Sequence, residues 1–153
     1  MSVAVSVGEL PSLVGSELGV SDWLLIDQDR VNAFADATLD HQFIHVDLEK
    51  AATTPFGGTI AHGFLTLSLL PHFLQSAAVP VEGTVMAINY GTDKVRFLQP
   101  VKVGSRIRAR AVLASVDERR PGQWLLKETV TIEIEGEQKP AMVAEALMLY
   151  FVQ

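Results

Sequence analysis

The chain contains no cysteine. Disulfides, thiolate nucleophiles and zinc–thiolate centres are therefore excluded, and the composition fits a reducing compartment, the cytoplasm being the expected one. Basic residues are in short supply: 12 Lys and Arg stand against 18 Asp and Glu, a formal net charge of −6. The isoelectric point is correspondingly low, about 5.1. This balance argues against a nucleic acid or an anionic membrane surface as partner. No run reaches the ~18 to 20 apolar residues that cross a bilayer. The opening stretch MSVAVSVGELPSLVGSELG has no basic segment ahead of an apolar one, so no signal peptide is expected. Internal repeats, low-complexity tracts and long linkers are also missing. One domain spanning 1–153 is the expectation.

What is plentiful is apolar surface. Hydrophobic residues make up 48% of the chain, and mean hydropathy is +0.26. Disorder is excluded. So much apolar composition in a chain of this size predicts an oligomer that buries extra apolar surface.

The first half reads as loops and helices. PSLVG suits a short helix, and SDWLLI suits a half-buried strand. Asp27 is placed to cap a helix over QDRVNAFADAT, where Val31, Phe34 and Ala35 recur at helical spacing. Asp47 is placed to cap a shorter helix over DLEKAATT. AHGFLTLSLLPHFLQSAA is apolar around most of its circumference and predicts one long buried helix, kinked or ended early by Pro71.

The second half changes period. GTVMAINYG, DKVRFLQPV, SRIRARAVLASVDE, QWLLKETVTIEIEG and AMVAEALMLYFVQ all carry strand composition or alternation. In RIRARAVL, Arg106, Arg108 and Arg110 point one way, with Ile107, Ala109 and Ala111 the other. DERRPGQ and EGEQKP are polar turns, and Gly91 and Asp93 predict a hairpin turn between two strands. The expected class is α+β, an antiparallel sheet wrapped around a long central apolar helix, which is the hotdog arrangement. Two such sheets joined edge to edge would protect an edge strand.

The chemistry candidates cluster in DHQFIHVD. Adding water to an activated double bond needs a base for the water and an acid for the carbon next to the carbonyl. A carboxylate and an imidazole sharing one water can supply both, and Asp40 and His45 are the residue types required. On spacing alone a plainer reading stands beside this one. Asp40 then caps a turn, and His45 is a hydrogen-bonded loop histidine. His41 and His45 are four apart. The helical zinc motif needs Glu after the first His, but Gln42 stands there, and Phe43, Ile44 and Val46 suggest extended or irregular chain. No metal is expected.

Gly63 opens the apolar run. It can let a ligand approach the backbone and offer an unpaired N–H to a developing oxyanion. Alternatively it serves helix packing, with His62 a bonded core histidine. Thr66 and Ser68 lack the flanking glycines of a nucleophile elbow and read as helix-packing hydroxyls. Asn89 and Tyr90 either border a substrate cavity or are ordinary strand residues. The arginine stripe either meets phosphates of a nucleotide-bearing substrate or is a solvated face. His72 has no visible partner.

DHQFIHVD together with IAHGFLTLSLL resembles the type 2, R-specific enoyl-CoA hydratases of the MaoC-like dehydratase family, and within it the branch named after nodulation protein N. Asp40, His45 and Asp47 match the fixed points of the family pattern. Gln42 and Phe43 replace its usual Asn and Pro. AHGF matches its His-Gly segment, and KVRFLQPVKVGSRI resembles its strand-turn-strand. The resemblance implies a hotdog domain, a dimer and a coenzyme A thioester substrate, with no metal or organic cofactor. It assigns Asp40 and His45 to the water and the Gly63 N–H to the thioester oxygen. His62, Phe64, Asn89 and Tyr90 are then the candidates for substrate contact, the acyl tail lying along Phe64 to Leu70. The implied reaction hydrates a trans-2-enoyl-CoA to an (R)-3-hydroxyacyl-CoA, or runs in reverse. A hotdog acyl-CoA thioesterase and a non-catalytic acyl-CoA-binding module are the alternatives.

Overall fold

The computed structural model describes residues 3–153. After a 3-10 turn at Leu10–Leu13 come two short strands, β1 (Glu17–Val20) and β2 (Leu24–Leu25), of which SDWLLI had predicted only the second. Helix α1 (Gln28–Thr38) starts as expected: the Asp27 carboxylate accepts the Arg30 N–H at 2.9 Å. Helix α3 (Leu48–Ala52) starts in the same way, with Asp47 accepting the Lys50 N–H at 3.0 Å. Between them Phe43–Val46 forms one short helix, α2. The extended chain expected there is not found; residues of strand propensity yield to local turn bonding, His45 N–H to the Gln42 carbonyl and Asp47 N–H to the Phe43 carbonyl.

The apolar run is not one long helix. It is α4 (Gly63–Ser68) and α5 (Leu70–Ala77), broken at Leu69. Pro71 explains the break. Its ring would clash with the carbonyl of Leu67 in a continuous helix, so the chain restarts with Pro71 in the first turn of α5.

Four long strands follow: β3 (Thr84–Phe97), β4 (Arg106–Arg120), β5 (Gln123–Ile134) and β6 (Met142–Val152). The predicted hairpin at Gly91 and Asp93 is absent. β3 runs straight through, paired antiparallel with β6 along its length. The turn-forming residues are absorbed as irregularities in register between Asn89 and Gly91 and between Asp93 and Arg96, with Lys94 at φ +50.

The sheet order is β1-β4-β5-β6-β3, with β2 also on β4. Its inner face packs on α5. Phe73, Leu74 and Ala77 of the helix meet Ile107, Ala109, Ala111 and Val130 of the sheet in one buried cluster. This is the hotdog layout, with a segmented helix as filling. The outer face carries Arg108 and Arg110, both bonded to Glu133 at 2.7 and 2.9 Å, Arg110 also to Glu17 at 2.6 Å, while Arg106 pairs with Glu135 at 3.2 Å. The alternation of RIRARAVL is therefore as read, and the arginines are neutralised by neighbouring carboxylates.

Candidate active site

The site is assembled where the helical layer meets the end of β3. Helix α1 ends at Leu39, whose left-handed backbone (φ +66) is one that glycine usually provides. This turn swings the chain out so that Asp40 begins a new direction. The Asp40 carboxylate accepts the Gln42 N–H at 3.3 Å, a local turn bond, and its side chain stays 54% exposed. The single turn of α2 then carries His45 inward, where it is 6% exposed.

Two bonds fix His45. Its Nδ1 donates to the Ile60 carbonyl at 2.7 Å, and its own carbonyl accepts from the Gln28 amide at 2.8 Å. Gln28 in turn accepts the Thr59 hydroxyl at 2.7 Å, so one side chain ties α1 to α2 and to the segment before α4. With Nδ1 carrying the hydrogen, Nε2 is left with its lone pair, the form a base requires. Burial pushes the imidazole below its ordinary value of 6.5, opposed by the Ile60 bond; the nearby His62 lowers it further and Asp40 raises it. His45 is thus held neutral near neutral pH.

His62 precedes α4 and is 3% exposed. It stacks on His45 with ring centroids 3.8 Å apart and planes 23° apart, and its Nε2 donates to the Asp40 carbonyl at 2.9 Å. Ligand atoms of Asp40, His45 and His62 lie within 4.8 Å of one another. Asp40 and His45 make no direct hydrogen bond, and the gap suits one water making two hydrogen bonds of about 2.8 Å.

His45 borders a cavity of about 270 Å³ with Gly63, Thr66 and a wall of Phe97, Leu98, Gln99, Pro100 and Val101. Gly63 is the first residue of α4, so its N–H has no partner within the helix. The Phe97 ring lies so close that a Cβ on Gly63 would stand 3.0 Å from three ring carbons. An alanine here would need the Phe97 ring to give way by a few tenths of an ångström.

Asp40, His45, His62 and Gly63 are thus brought together. His41 is not: it faces solvent, paired with Asp36 at 2.8 Å. Phe64 is 67% exposed and packs edge-on against Phe97 at 5.9 Å, outside the cavity wall. Asn89 and Tyr90 line a different groove of about 400 Å³, with Leu67, Ser68, Leu70 and Pro71. Ser68 bonds the Phe64 carbonyl at 2.6 Å, as a packing hydroxyl does. Sequence reasoning missed Gln28 and the 97–101 wall. Gln28 carries no motif; its signal is only that a helix-start amide faces two later segments.

Residues 9–136 match the MaoC like domain family. The chain is 52% identical over 145 residues to 3-hydroxyacyl-thioester dehydratase Z of Mycobacterium tuberculosis, covering 95% of each. It is also 52% identical over 141 residues to nodulation protein N of Rhizobium meliloti, covering 92% of this chain and 88% of that one. Among solved structures, an (R)-hydratase from Aeromonas caviae superposes with a TM-score of 0.71 at 29% identity, covering 88% of this chain and 94% of that one. A MaoC-like dehydratase from Rhodospirillum rubrum shares the fold with a TM-score of 0.75, over 92% of this chain and 93% of that one, at 20% identity. The chain is therefore a member of the MaoC-like dehydratase family, and relatives named as dehydratases and hydratases support a hydro-lyase activity.

Proposed function

We propose that the protein is an R-specific enoyl-CoA hydratase, adding water to a trans-2-enoyl-CoA to give an (R)-3-hydroxyacyl-CoA, and running in reverse as a dehydratase. The observation that carries this reading is the buried, neutral His45, its Nδ1 occupied and its Nε2 free, beside Asp40 and on the same cavity as Gly63. A water held between Asp40 and His45 attacks the β-carbon as the imidazole takes one of its protons. Electron density moves to the thioester oxygen, where the Gly63 N–H stabilises it. The proton taken from water is then delivered to the α-carbon, and the thioester oxygen returns to a carbonyl. The conjugated thioester supplies the electrophile, so the residues named suffice.

The 29% identity to the (R)-hydratase of Aeromonas caviae supports the stereochemistry, and the 52% identity to a 3-hydroxyacyl-thioester dehydratase supports a thioester substrate. The groove of Leu67, Leu70, Asn89 and Tyr90 would take the acyl tail. The edge strand β3 exposes Val85, Met86, Ile88 and Tyr90, and a second copy pairing there would cover them.

The test is the loss of enoyl-thioester absorbance with crotonyl-CoA and a longer trans-2-enoyl-CoA, wild type beside Asp40→Asn and His45→Gln. Hydration by wild type, reduced at least about 100-fold in kcat by either change, supports the reading. Thiol release from saturated acyl-CoA would point instead to a thioesterase, and binding without turnover to a carrier module.

A further inference from the structure

We propose that His62 is a positioning residue, one imidazole that holds both halves of the Asp40/His45 pair in register, rather than a substrate contact. This rests on the hydratase reading. Three observations support it. His62 is nearly sealed from solvent and is absent from the lining of the His45 cavity, so no substrate atom is placed to meet it. Its Nε2–H bonds the backbone carbonyl of Asp40 at 2.9 Å, with the Asp40 carboxylate farther off at 3.9 Å. Its ring lies flat on the ring of His45.

The geometry answers a local problem. Asp40 has little else to hold it. It follows a left-handed leucine, its side chain is largely exposed, and among the described residues its only side-chain hydrogen bond is the long one to Gln42 N–H. The placement of this carboxylate therefore depends on how its turn is held, and acid–base geometry tolerates little displacement. The His62 bond grips the turn by its carbonyl, leaving the carboxylate free for water. The same ring limits rotation of His45 about its side-chain bonds. Phe34 of α1 packs against His62, its ring tilted by 59° and the centroids 4.9 Å apart. Ring contacts therefore link Phe34 of α1 to His62 and His62 to His45.

The remaining polar atom also fits. His62 Nδ1 is buried with no partner among the described residues. With hydrogen on Nε2, Nδ1 is a bare acceptor. The charged and titratable groups that reach His45 are His62 and Asp40. Helix α1 presents Phe34 and Gln28 to this cluster, and the cavity wall offers Phe97 and Gln99, none of them ionisable. Removing the His62 imidazole should therefore let His45 gain a proton more readily.

Three variants separate the parts. His62→Phe keeps a flat ring and loses the bond to Asp40. His62→Gln keeps an N–H donor and loses the stack. His62→Ala loses both. The expected result is a kcat lower by about 10- to 100-fold for Phe and Ala, with KM little changed and Gln partly restoring kcat, as a misplaced pair requires. The acid limb of kcat should move to higher pH in all three. Imidazole NMR titration of His45 in His62→Gln beside wild type reads the same shift without turnover, so it holds even if crotonyl-CoA proves to be no substrate. A raised KM with unchanged kcat would return His62 to substrate binding and overturn the proposal. So would an unmoved His45 titration in a folded His62→Gln, or wild-type kinetics in His62→Ala.

Discussion

Two buried ionisable residues, one in each layer, have opposite circumstances. His45 in the helical layer and Glu128 in the sheet are both sealed from solvent, at 6% and 1% exposure. In both, desolvation favours the neutral form. His45 has a backbone acceptor on one nitrogen and a stacked ring on its face, and it borders a cavity. Glu128 lies on β5 between Leu113 of β4 and Ala146 of β6, with one carboxylate oxygen unpartnered among the described residues, and borders none of the cavities described above. Burial alone therefore does not make a site. What distinguishes His45 is that it borders a cavity and lies beside Asp40, with one ring nitrogen tied to a backbone carbonyl.

The sharpest break in the comparison is to remove each group in turn. His45→Gln should cost at least about 100-fold in kcat while leaving the fold intact, because an acid–base function is lost and a hydrogen-bonding amide is kept. Glu128→Gln should leave kcat where it is. Steady-state kinetics on enoyl-CoA read both, and a loss of turnover in Glu128→Gln would mean that the sheet layer communicates with the site. Because burial holds His45 below its ordinary range, the acid limb of the wild-type profile should fall below 6.5.

Gly63→Ala comes next. The added Cβ would meet the Phe97 ring at 3.0 Å, and the ring is the cavity wall that must yield. A fall in kcat/KM of about tenfold is expected, of the size a small displacement at a reacting centre produces. Adding Phe97→Ala should recover part of it. Strict additivity of the two changes would show that the ring is not what Gly63 makes room for.

These residues were unequally legible. Asp40, His45 and Gly63 sit in two short motifs at fixed spacing, so the sequence could bring them forward before any coordinates. The strands were legible because alternation such as RIRARAVL survives wherever one face is buried. The hairpin at Gly91 was misread because turn-forming residues also make bulges, and only pairing with β6 decides between the two. The long helix was misjudged for a related reason: Pro71 is compatible with a kink or a restart, and local sequence does not choose. Glu128 and Gln28 were invisible, since their meaning is set by neighbours more than 10 residues away in sequence.

Glu128 then sharpens the comparison through stability. Burial pushes its carboxyl up to about 7, from an ordinary 4.5. The folded state therefore binds this proton more tightly than the unfolded chain. The contribution from Glu128 is intact below about pH 4.5 and is lost as pH rises through about 7. The loss is of order 3 kcal/mol, at about 1.4 kcal/mol for each pH unit between those values. Glu128→Gln, neutral throughout, should unfold at higher denaturant than wild type at pH 8 and at similar denaturant at pH 5. Parallel wild-type and variant curves across that range would mean that the carboxylate finds a partner on ionising. The same variant should let Tyr150, pushed up to about 12 by burial and by the Glu128 charge, ionise more easily.

The smallest effect is expected on the outer face. Arg110 is shared between Glu133 and Glu17, and Arg108 lies between Glu133 and the Trp23 ring, 4.3 Å from its centroid. These cations already face carboxylates, so a phosphate arriving there would have to displace them. Arg110→Gln should leave KM for the CoA thioester unchanged and lower the unfolding temperature only slightly, since exposed ion pairs contribute little. A marked rise in KM, steepest at low salt, would instead show that the stripe meets the nucleotide end of the substrate. The two faces of RIRARAVL would then both serve function, and the boundary drawn between a helical layer that reacts and a sheet that supports it would have to move.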